Sequence, residues 1–563
     1  MLVTAALPYA NADLHIGHVT STYIPADVYS RFRRLKGDDI LFVCGSDYHG
    51  TPIEVSALAM GKTPAEHAEY YRLREIHDFQ QLNISFDNYY YTGSEENRVL
   101  TEEFLNSAYE KNYIYQKEVE QSYCEKDKRF LPDRFVKGQC PYCGAADQYS
   151  DVCEACGRVI EPGKIINPSC IICGTPPVKR KAKHFFFKLS ALSGFLSDWL
   201  SKSRDGDFPR EVVNYVLNWV KSGLEDWDIT REDYWGFRLP FKGAAPNQYA
   251  YVWWDAPIGY IASTVNLCSR LGISWERYWK SPESRIVHFI GKDIIYHHLL
   301  FWPAMLKVAG YPLPKKYVVN GYLTLESRKM SKSRKWGINL RYVLDRYPSD
   351  YIRFYLATKA ANSIGDSDFS WKEFQDRINT GLADAIGNLV NRVLKFTTDT
   401  FGGEVPEPQS SLASAEDRGF KEFITRLPKE FEELYEKVNL TKVVGKIVDS
   451  FGEGNRYFNA KEPWRKIKAG DREGEASART TLYLNVNLIH DGALYLYPIA
   501  PNTATQILSQ IFGSGKGILL SWDILGKFAV TPGTKVGKPK PVAEKIKDED
   551  IKKETEALEK GIA

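Results

Sequence analysis

The 563-residue chain lacks a marked excess of either charge: 74 Lys and Arg against 71 Asp and Glu leave a formal +3. This balance excludes a uniformly basic coat for nucleic acid, although a large protein can confine a basic groove to one face. There is no uninterrupted apolar run long enough to span a bilayer. Residues 1–7 are too few for a signal peptide and carry no basic flank. A cytoplasmic protein without membrane attachment is expected. Cysteine is sparse and odd in number, nine in all, which does not suit a disulfide framework. The apolar and charged fractions, 43% and 26%, are those of an ordinary globular protein. Its length exceeds what one core supports, so three or four domains are expected.

Six of the nine cysteines fall in three C-x-x-C pairs, a pattern that in a reducing compartment points to metal. Cys140, Cys143, Cys153 and Cys156 supply four thiolates at knuckle spacing. Such a set leaves no open coordination position, so it suits a structural zinc. The third pair, Cys170 and Cys173, needs partners, and the nearest candidates are Cys124 and Asp127. A Cys₃Asp zinc site and an empty or weak one stay open as alternatives. Cys44 and Cys268 read as small buried apolar side chains.

Two polar phrases stand out. Pro8-Tyr9-Ala10-Asn11-Ala12-Asp13-Leu14-His15-Ile16-Gly17-His18 follows an apolar run at 2–7 and leads into a helical pattern. It puts two histidines and a glycine where a strand hands over to a helix N-terminus, the place where α/β sheets bind phosphates. Gly17 would let a nucleoside approach the backbone closely, and Asn11 can reach a phosphate. Lys329-Met330-Ser331-Lys332-Ser333 has the composition of a polyanion clamp; taken alone, it is also a basic surface loop. A third phrase, at 513–517, imitates a P-loop. It fails because Gln510 stands at the first glycine position and Gly517 replaces the Ser/Thr.

The periodicities divide the chain. Residues 1–115 read as the first half of a parallel sheet, with a strand at 40–44 followed by a polar loop that contains Asp47. Residues 116–230 form a cysteine-bearing insertion. The sheet resumes in 231–320, with a strand at 286–290 and a helix striped by Ile295, Leu299, Trp302 and Leu306. A last strand within 317–325 leads into the lysine phrase, and 321–372 forms the region around it. Residues 373–534 read as a helix bundle with helices over 374–396, 417–438 and 479–495. The charged tail, 535–563, reads as a solvated linker with a marginal helix.

Together the two phrases resemble the HIGH and KMSKS signatures of the class I aminoacyl-tRNA synthetases. Ala5-Ala6-Leu7-Pro8-Tyr9, the stretch from Tyr251 to Tyr260, and Gly291-Lys292-Asp293-Ile294-Ile295-Tyr296-His297-His298 resemble the methionyl-tRNA synthetases, in an archaeal-like two-knuckle form. The resemblance runs from about residue 3 to about residue 522. It implies an α/β fold: a Rossmann-type catalytic domain split by the zinc-knuckle insertion, then an all-α anticodon-binding bundle. The activity it implies is ATP-dependent formation of methionyl-adenylate and transfer to the 3′ end of tRNA(Met), initiator and elongator.

By resemblance, Tyr9, Asn11, His15, His18, Lys329, Ser331 and Lys332 meet ATP and its magnesium, with Gly17, Asp47 and Arg231 in the catalytic set. Ala6, Leu7 and Asp293 would hold the backbone of L-methionine. Ala256, Pro257, Tyr260, Ile294 and His298 would line the thioether pocket, and Trp253 would close it. Asn388, Arg392, Pro463 and Trp464 would read the CAU anticodon. Some relatives continue into a C-terminal OB-fold, whereas this sequence stops at Ala563. The expectation is a monomer, with a separate tRNA-binding protein as an optional helper. Synthetases for isoleucine, valine or leucine would need a larger editing insertion, and one for cysteine would need an open zinc site.

Overall fold

Leu2–Ala5 is buried at all four positions, as a strand covered on both faces must be. It pairs in parallel with Leu41–Ser46 on one side and Ile286–Gly291 on the other. Asn88–Tyr91 and Lys316–Asn320 complete a five-stranded parallel sheet. Its spatial order is Lys316–Asn320, Ile286–Gly291, Leu2–Ala5, Leu41–Ser46, Asn88–Tyr91. The winding direction therefore reverses between Leu2–Ala5 and Ile286–Gly291, which opens a crevice at their carboxyl ends. The second strand runs two residues beyond the expected 40–44, because Gly45 and Ser46 stay paired with Tyr90 and Tyr91. The computed structural model describes residues 1–563 apart from 151, 152, 154, 157, 159, 161–163, 204–205, 331–335, 514–517 and 563.

The insertion leaves the sheet as an antiparallel ribbon, Ile114–Cys124 against Val178–Phe187. At its far end Val136–Gln139 pairs with Gln148–Tyr149 and Ile166–Cys170 in a small sheet that carries the cysteines. The strand expected within 317–325 is two strands. Lys316–Asn320 belongs to the main sheet, whereas Leu323–Leu325 pairs with Arg328–Lys329 and Ser367–Phe369 in a separate sheet. Glu326 and Ser327 both take positive φ, 47° and 62°, as a tight two-residue hairpin demands. That hairpin turns Lys329 back toward the first phrase.

The bundle contains the three expected helices and more. The first runs from Trp371 to Phe401 through a π-helical stretch, Ile378–Gly387. Ala415–Glu436 and Arg472–Leu496 follow expectation, while Leu440–Lys461 and Pro501–Ile511 were not foreseen. One core joins this bundle to a face of the catalytic sheet, running from Val3 and Phe32 to Phe431, Leu488 and Trp522.

The tail corrects the expectation of a solvated linker. Val542, Ile546, Ile551 and Leu558 are buried, and Asp548–Glu559 is a docked helix. Its Glu554 accepts from Tyr342 Oη at 2.7 Å and Tyr347 Oη at 3.2 Å. Ile551, Glu554 and Leu558 stand at i, i+3 and i+7, a stripe that the surrounding charges conceal. Among the described residues no helix is long and apolar enough to cross a membrane.

Candidate active site

The first phrase leaves the end of Leu2–Ala5 and enters a helix at Ile16. His15 caps that helix: its Nδ1 accepts from the Gly17 N–H at 3.1 Å, while His18 Nδ1 accepts from the His15 N–H at 3.1 Å. The two rings stack with centroids 3.6 Å apart. With both Nδ1 atoms used as acceptors, each ring's N–H donor is on Nε2, beside a helix start. At Gly17 a Cβ would lie 2.5 Å from the methyl of Met330 and 3.0 Å from the His15 ring, so the two phrases touch here and a side chain would have to push the Met330 tip aside.

A cavity of about 400 Å³ occupies the crevice at the switch point. Ala6, Leu7, Tyr9, Asn11, His18 and Asp47 line one side; Trp253, Ala256, Pro257, Tyr260, Asp293, Ile294 and His298 line the other. A second cavity of about 450 Å³ shares His18 and Asp293 and adds His15, Gly17 and Lys329. The methionine set and most of the ATP set are therefore brought together. Ser331 and Lys332 lie outside the described residues. Arg231 does not line either cavity: its guanidinium lies 3.9 Å from the Tyr251 ring and donates to the Thr230 carbonyl at 2.8 Å.

Burial sets the charges. His298 donates from Nδ1 to the Ile294 carbonyl at 3.1 Å and accepts at Nε2 from Tyr260 Oη at 2.8 Å. Desolvation pulls its pKa down to about 4, so the ring is neutral. Burial also raises the Asp47 carboxyl well above the usual carboxylate range, with Asp255 adding to the effect. Among the residues that the sequence reading gave no role, two stand out. His297, lowered to about 3 by burial, stacks on Trp253 at 3.6 Å. Arg134 reaches the first cavity from the insertion. His297 stands inside the quoted segment Gly291 to His298 without having been given a role there; nothing in the sequence marks Arg134.

Both metal sets assemble. The ligand atoms of Cys140, Cys143, Cys153 and Cys156 all lie within 4.8 Å of one another, and so do those of Cys124, Asp127, Cys170 and Cys173. Asp127 Oδ2 is 3.1 Å from the sulfurs of both Cys124 and Cys170. An oxygen facing three sulfurs fits the fourth vertex of a tetrahedral site. The two knuckles also share a turn, with Gly144 N–H bonded to the Cys140 carbonyl and Gly174 N–H to that of Cys170.

On the bundle, Asn388 and Arg392 stand one turn apart on Asn388–Phe401. Pro463 opens the helix Pro463–Ala469, and Trp464 beside it is 38% exposed. The Arg392 guanidinium lies 5.8 Å from the Trp464 ring and bonds Asn459 Oδ1 at 2.6 Å.

A switch-point cavity with a histidine pair on its helix start and a lysine hairpin leaning over it is the layout of the class I aminoacyl-tRNA synthetases. Residues 1–394 match the family described as tRNA synthetases class I (M), and 405–559 match the anticodon binding domain of methionyl tRNA ligase. The chain belongs to the methionyl-tRNA synthetase family. The methionine–tRNA ligase of Methanobrevibacter smithii is 40% identical, with all of this chain and 82% of that protein aligned. That of Methanopyrus kandleri is 41% identical over 98% of this chain and 81% of its own. The crystal structure of Mycobacterium tuberculosis methionyl-tRNA synthetase bound by methionyl-adenylate superposes with a TM-score of 0.78 at 26% identity, covering 96% of this chain and 99% of that one.

Proposed function

We propose that this chain joins L-methionine to ATP, forming methionyl-adenylate, and passes the methionyl group to the 3′ end of tRNA(Met), initiator and elongator. The observation that carries this reading is the shared wall of the two cavities: the apolar pocket of Ala256, Pro257, Tyr260 and His298 meets the phosphate-facing set at His18 and Asp293. A methionine carboxylate oxygen attacks the α-phosphorus in line, and the bond to pyrophosphate breaks. The Nε2–H donors of His15 and His18 meet charge as it develops, while Lys329 and Lys332 hold the departing pyrophosphate. Magnesium carried by ATP supplies further charge neutralisation. A ribose hydroxyl of the terminal adenosine then attacks the carbonyl, AMP leaves, and the hydroxyl proton passes to the AMP phosphate or to solvent. Catalysis is positioning plus electrostatics, and no protein nucleophile is required.

Selection lies in the apolar pocket, where a thioether gains from aromatic neighbours and the neutral Tyr260–His298 pair. One methylene in such a pocket is worth roughly 1–3 kcal/mol, so homocysteine is rejected incompletely. Trp464, Arg392 and Asn388 read the anticodon by stacking and edge hydrogen bonds. The two cysteine-rich sets each hold a structural zinc ion.

The test is amino-acid-dependent exchange of pyrophosphate into ATP. Exchange that depends on methionine supports the reading, and exchange with another amino acid alone overturns it. Lys332→Ala is expected to slow adenylate formation on the order of 10²-fold while leaving tRNA binding in place.

A further inference from the structure

Helix Pro64–Gln81 lies against the first phrase and against Leu340–Leu344, the helix that follows the lysine phrase, through one stripe. His67, Tyr71, Arg74 and Asp78 stand at i, i+4, i+7 and i+11, the spacing of a single helix face. Ala68 and Tyr71 pack with Tyr9 and Ala10 of the first phrase. One turn further, Arg74 grips Asp13 with two parallel bonds, Nε to Oδ1 at 2.5 Å and Nη2 to Oδ2 at 2.8 Å. Another turn on, Asp78, its side chain 1% exposed, receives Nε and Nη2 of Arg341 on Oδ1 at 3.0 and 2.6 Å.

The partners of these two residues matter. Asp13 precedes His15 by two positions. Arg341 belongs to Leu340–Leu344, the helix that follows the lysine phrase. Between the anchors the two segments pair through the backbone: Ile16 N–H to the Ile338 carbonyl at 3.1 Å and Leu340 N–H to the Leu14 carbonyl at 2.9 Å, with His15 bridged to Asn339. This ladder and the helix behind it both tie the two segments together.

We propose that Arg74 and Asp78 are positioning residues for adenylation, holding His15 and the downstream root of the lysine phrase on one rigid rod. They touch no substrate. Their effect is on whether the histidine donors and the lysines meet the same phosphates, and a displacement near 1 Å costs on the order of 10²-fold in rate. The partly exposed Arg74–Asp13 pair contributes little to stability, so there rate and folding should separate; Arg341 covers a buried carboxylate, and its loss also lowers stability. The inference rests on the adenylation reading above.

The experiment compares Arg74→Gln and Arg341→Gln with the parent full-length chain in methionine-dependent pyrophosphate exchange. Each substitution should lower kcat about tenfold or more, with the methionine KM within about twofold; Tm should be nearly unchanged in Arg74→Gln and lower in Arg341→Gln, which bares the buried Asp78 carboxylate. The reversal Asp13→Arg with Arg74→Asp, at positions open enough to accept it, should recover part of the rate that Arg74→Asp alone loses. The proposal fails if both Gln variants keep kcat within about twofold of the parent. It also fails if their lost rate tracks a fall in Tm and the reversal restores nothing. A parent chain without methionine-dependent exchange refutes the adenylation reading itself, and that result is seen before any variant is compared.

Discussion

Arg353 Nη2 lies 2.6 Å from Asp27 Oδ2, and neither side chain is exposed to solvent. Asp27 is on Ile24–Leu35, the helix that continues from the histidine phrase, and Arg353 is on Ser349–Ala357, beyond the lysine phrase. Arg353 spends its other donors on carbonyls: Ile499 at 2.7 Å, Pro498 at 2.9 Å, and Leu82 and Asn83 at 3.3 Å. Asp27 in turn accepts from Arg31 Nε at 2.8 Å and from the Ser85 N–H and Oγ at 2.7 and 2.6 Å. One buried pair thus ties the catalytic sheet, the segment after the lysine phrase and the turn of the bundle at 498–499. A buried pair is weak evidence of net stabilisation, but losing Arg353 leaves Asp27 with Arg31 as its one cation and leaves the carbonyls that Arg353 served without its donors.

Arg353→Met is expected to destabilise the protein by about 3–5 kcal/mol, measured by urea unfolding. Adding Asp27→Leu should recover little of that loss, because Asp27 still holds Arg31 and the Ser85 donors, and its removal strands the buried Arg31 as well. A cost below about 1 kcal/mol for the single variant would show that the carbonyls and Asp27 find other partners. The pair also sets an acid limit. Burial alone would raise the Asp27 carboxyl, but Arg31, Arg353 and the Ser85 donors overcome it and hold it at about 2. Its folded value is below the ordinary 3.8, so this contribution is complete above that pH and lost as pH falls through about 2.

His184 predicts the opposite trend in the insertion. It is buried at the root of the ribbon, with Nδ1 2.6 Å from Asp228 Oδ2 and Nε2 2.8 Å from the Glu232 carboxylate. Burial pulls its pKa down, yet the two carboxylates prevail and place it at about 9. The folded value lies above the ordinary 6.5. The stabilisation is therefore whole below pH 6.5 and lost as pH rises through about 9, on the order of 2–3 kcal/mol. Amide exchange in Val178–Phe187 should quicken across that window, and His184→Gln should flatten the dependence. An unchanged slope in the variant would remove His184 as its source.

How much of this was legible depended on whether the chemistry needs particular residues at fixed spacing. The two phrases, the apolar pocket and the cysteine sets are such cases, and among the described residues the structure gathers the first phrase with Lys329 and Met330, the pocket of Ala256, Pro257, Tyr260 and His298, and both cysteine sets. The Arg353–Asp27 pair is one charge at each of two distant positions, so no local pattern announces it. Leu440–Lys461 was hidden by its glycines, although Gly454 is what lets the helix close on Leu389 and Leu488, where a Cβ would lie 2.5 and 2.7 Å away. In the tail, charge density masked the stripe of Ile551 and Leu558. Arg134 reaches the site only because the insertion folds back over it.

Trp464 tests the proposed division between adenylation and tRNA charging. In that reading its exposed ring beside Arg392 stacks on an unpaired anticodon base, a contact worth about 1–3 kcal/mol. Trp464→Ala should therefore lower kcat/KM for tRNA charging by roughly 10- to 100-fold and leave methionine-dependent pyrophosphate exchange near the parent rate. Equal loss of both activities would assign the ring a packing role against Phe458, 5.7 Å away.

Asp127 decides the metal count. Its carboxylate stands among Cys124, Cys170 and Cys173 where the other set has a fourth thiolate. A carboxylate oxygen binds zinc at about 2.0–2.2 Å and a thiolate at about 2.3 Å, so either can complete the tetrahedron. Elemental analysis of the purified chain should find two zinc equivalents. Asp127→Ala should reduce this to one, and Asp127→Cys should keep both. Because ligand binding and local folding are linked, the Ala variant should also expose the ribbon tip to protease, with the sheet of Leu2–Ala5 still intact. One equivalent in the parent chain, unchanged in Asp127→Ala, would leave Cys140, Cys143, Cys153 and Cys156 as the sole zinc site and make the second cluster a hydrogen-bonded knot of thiols around a carboxylate.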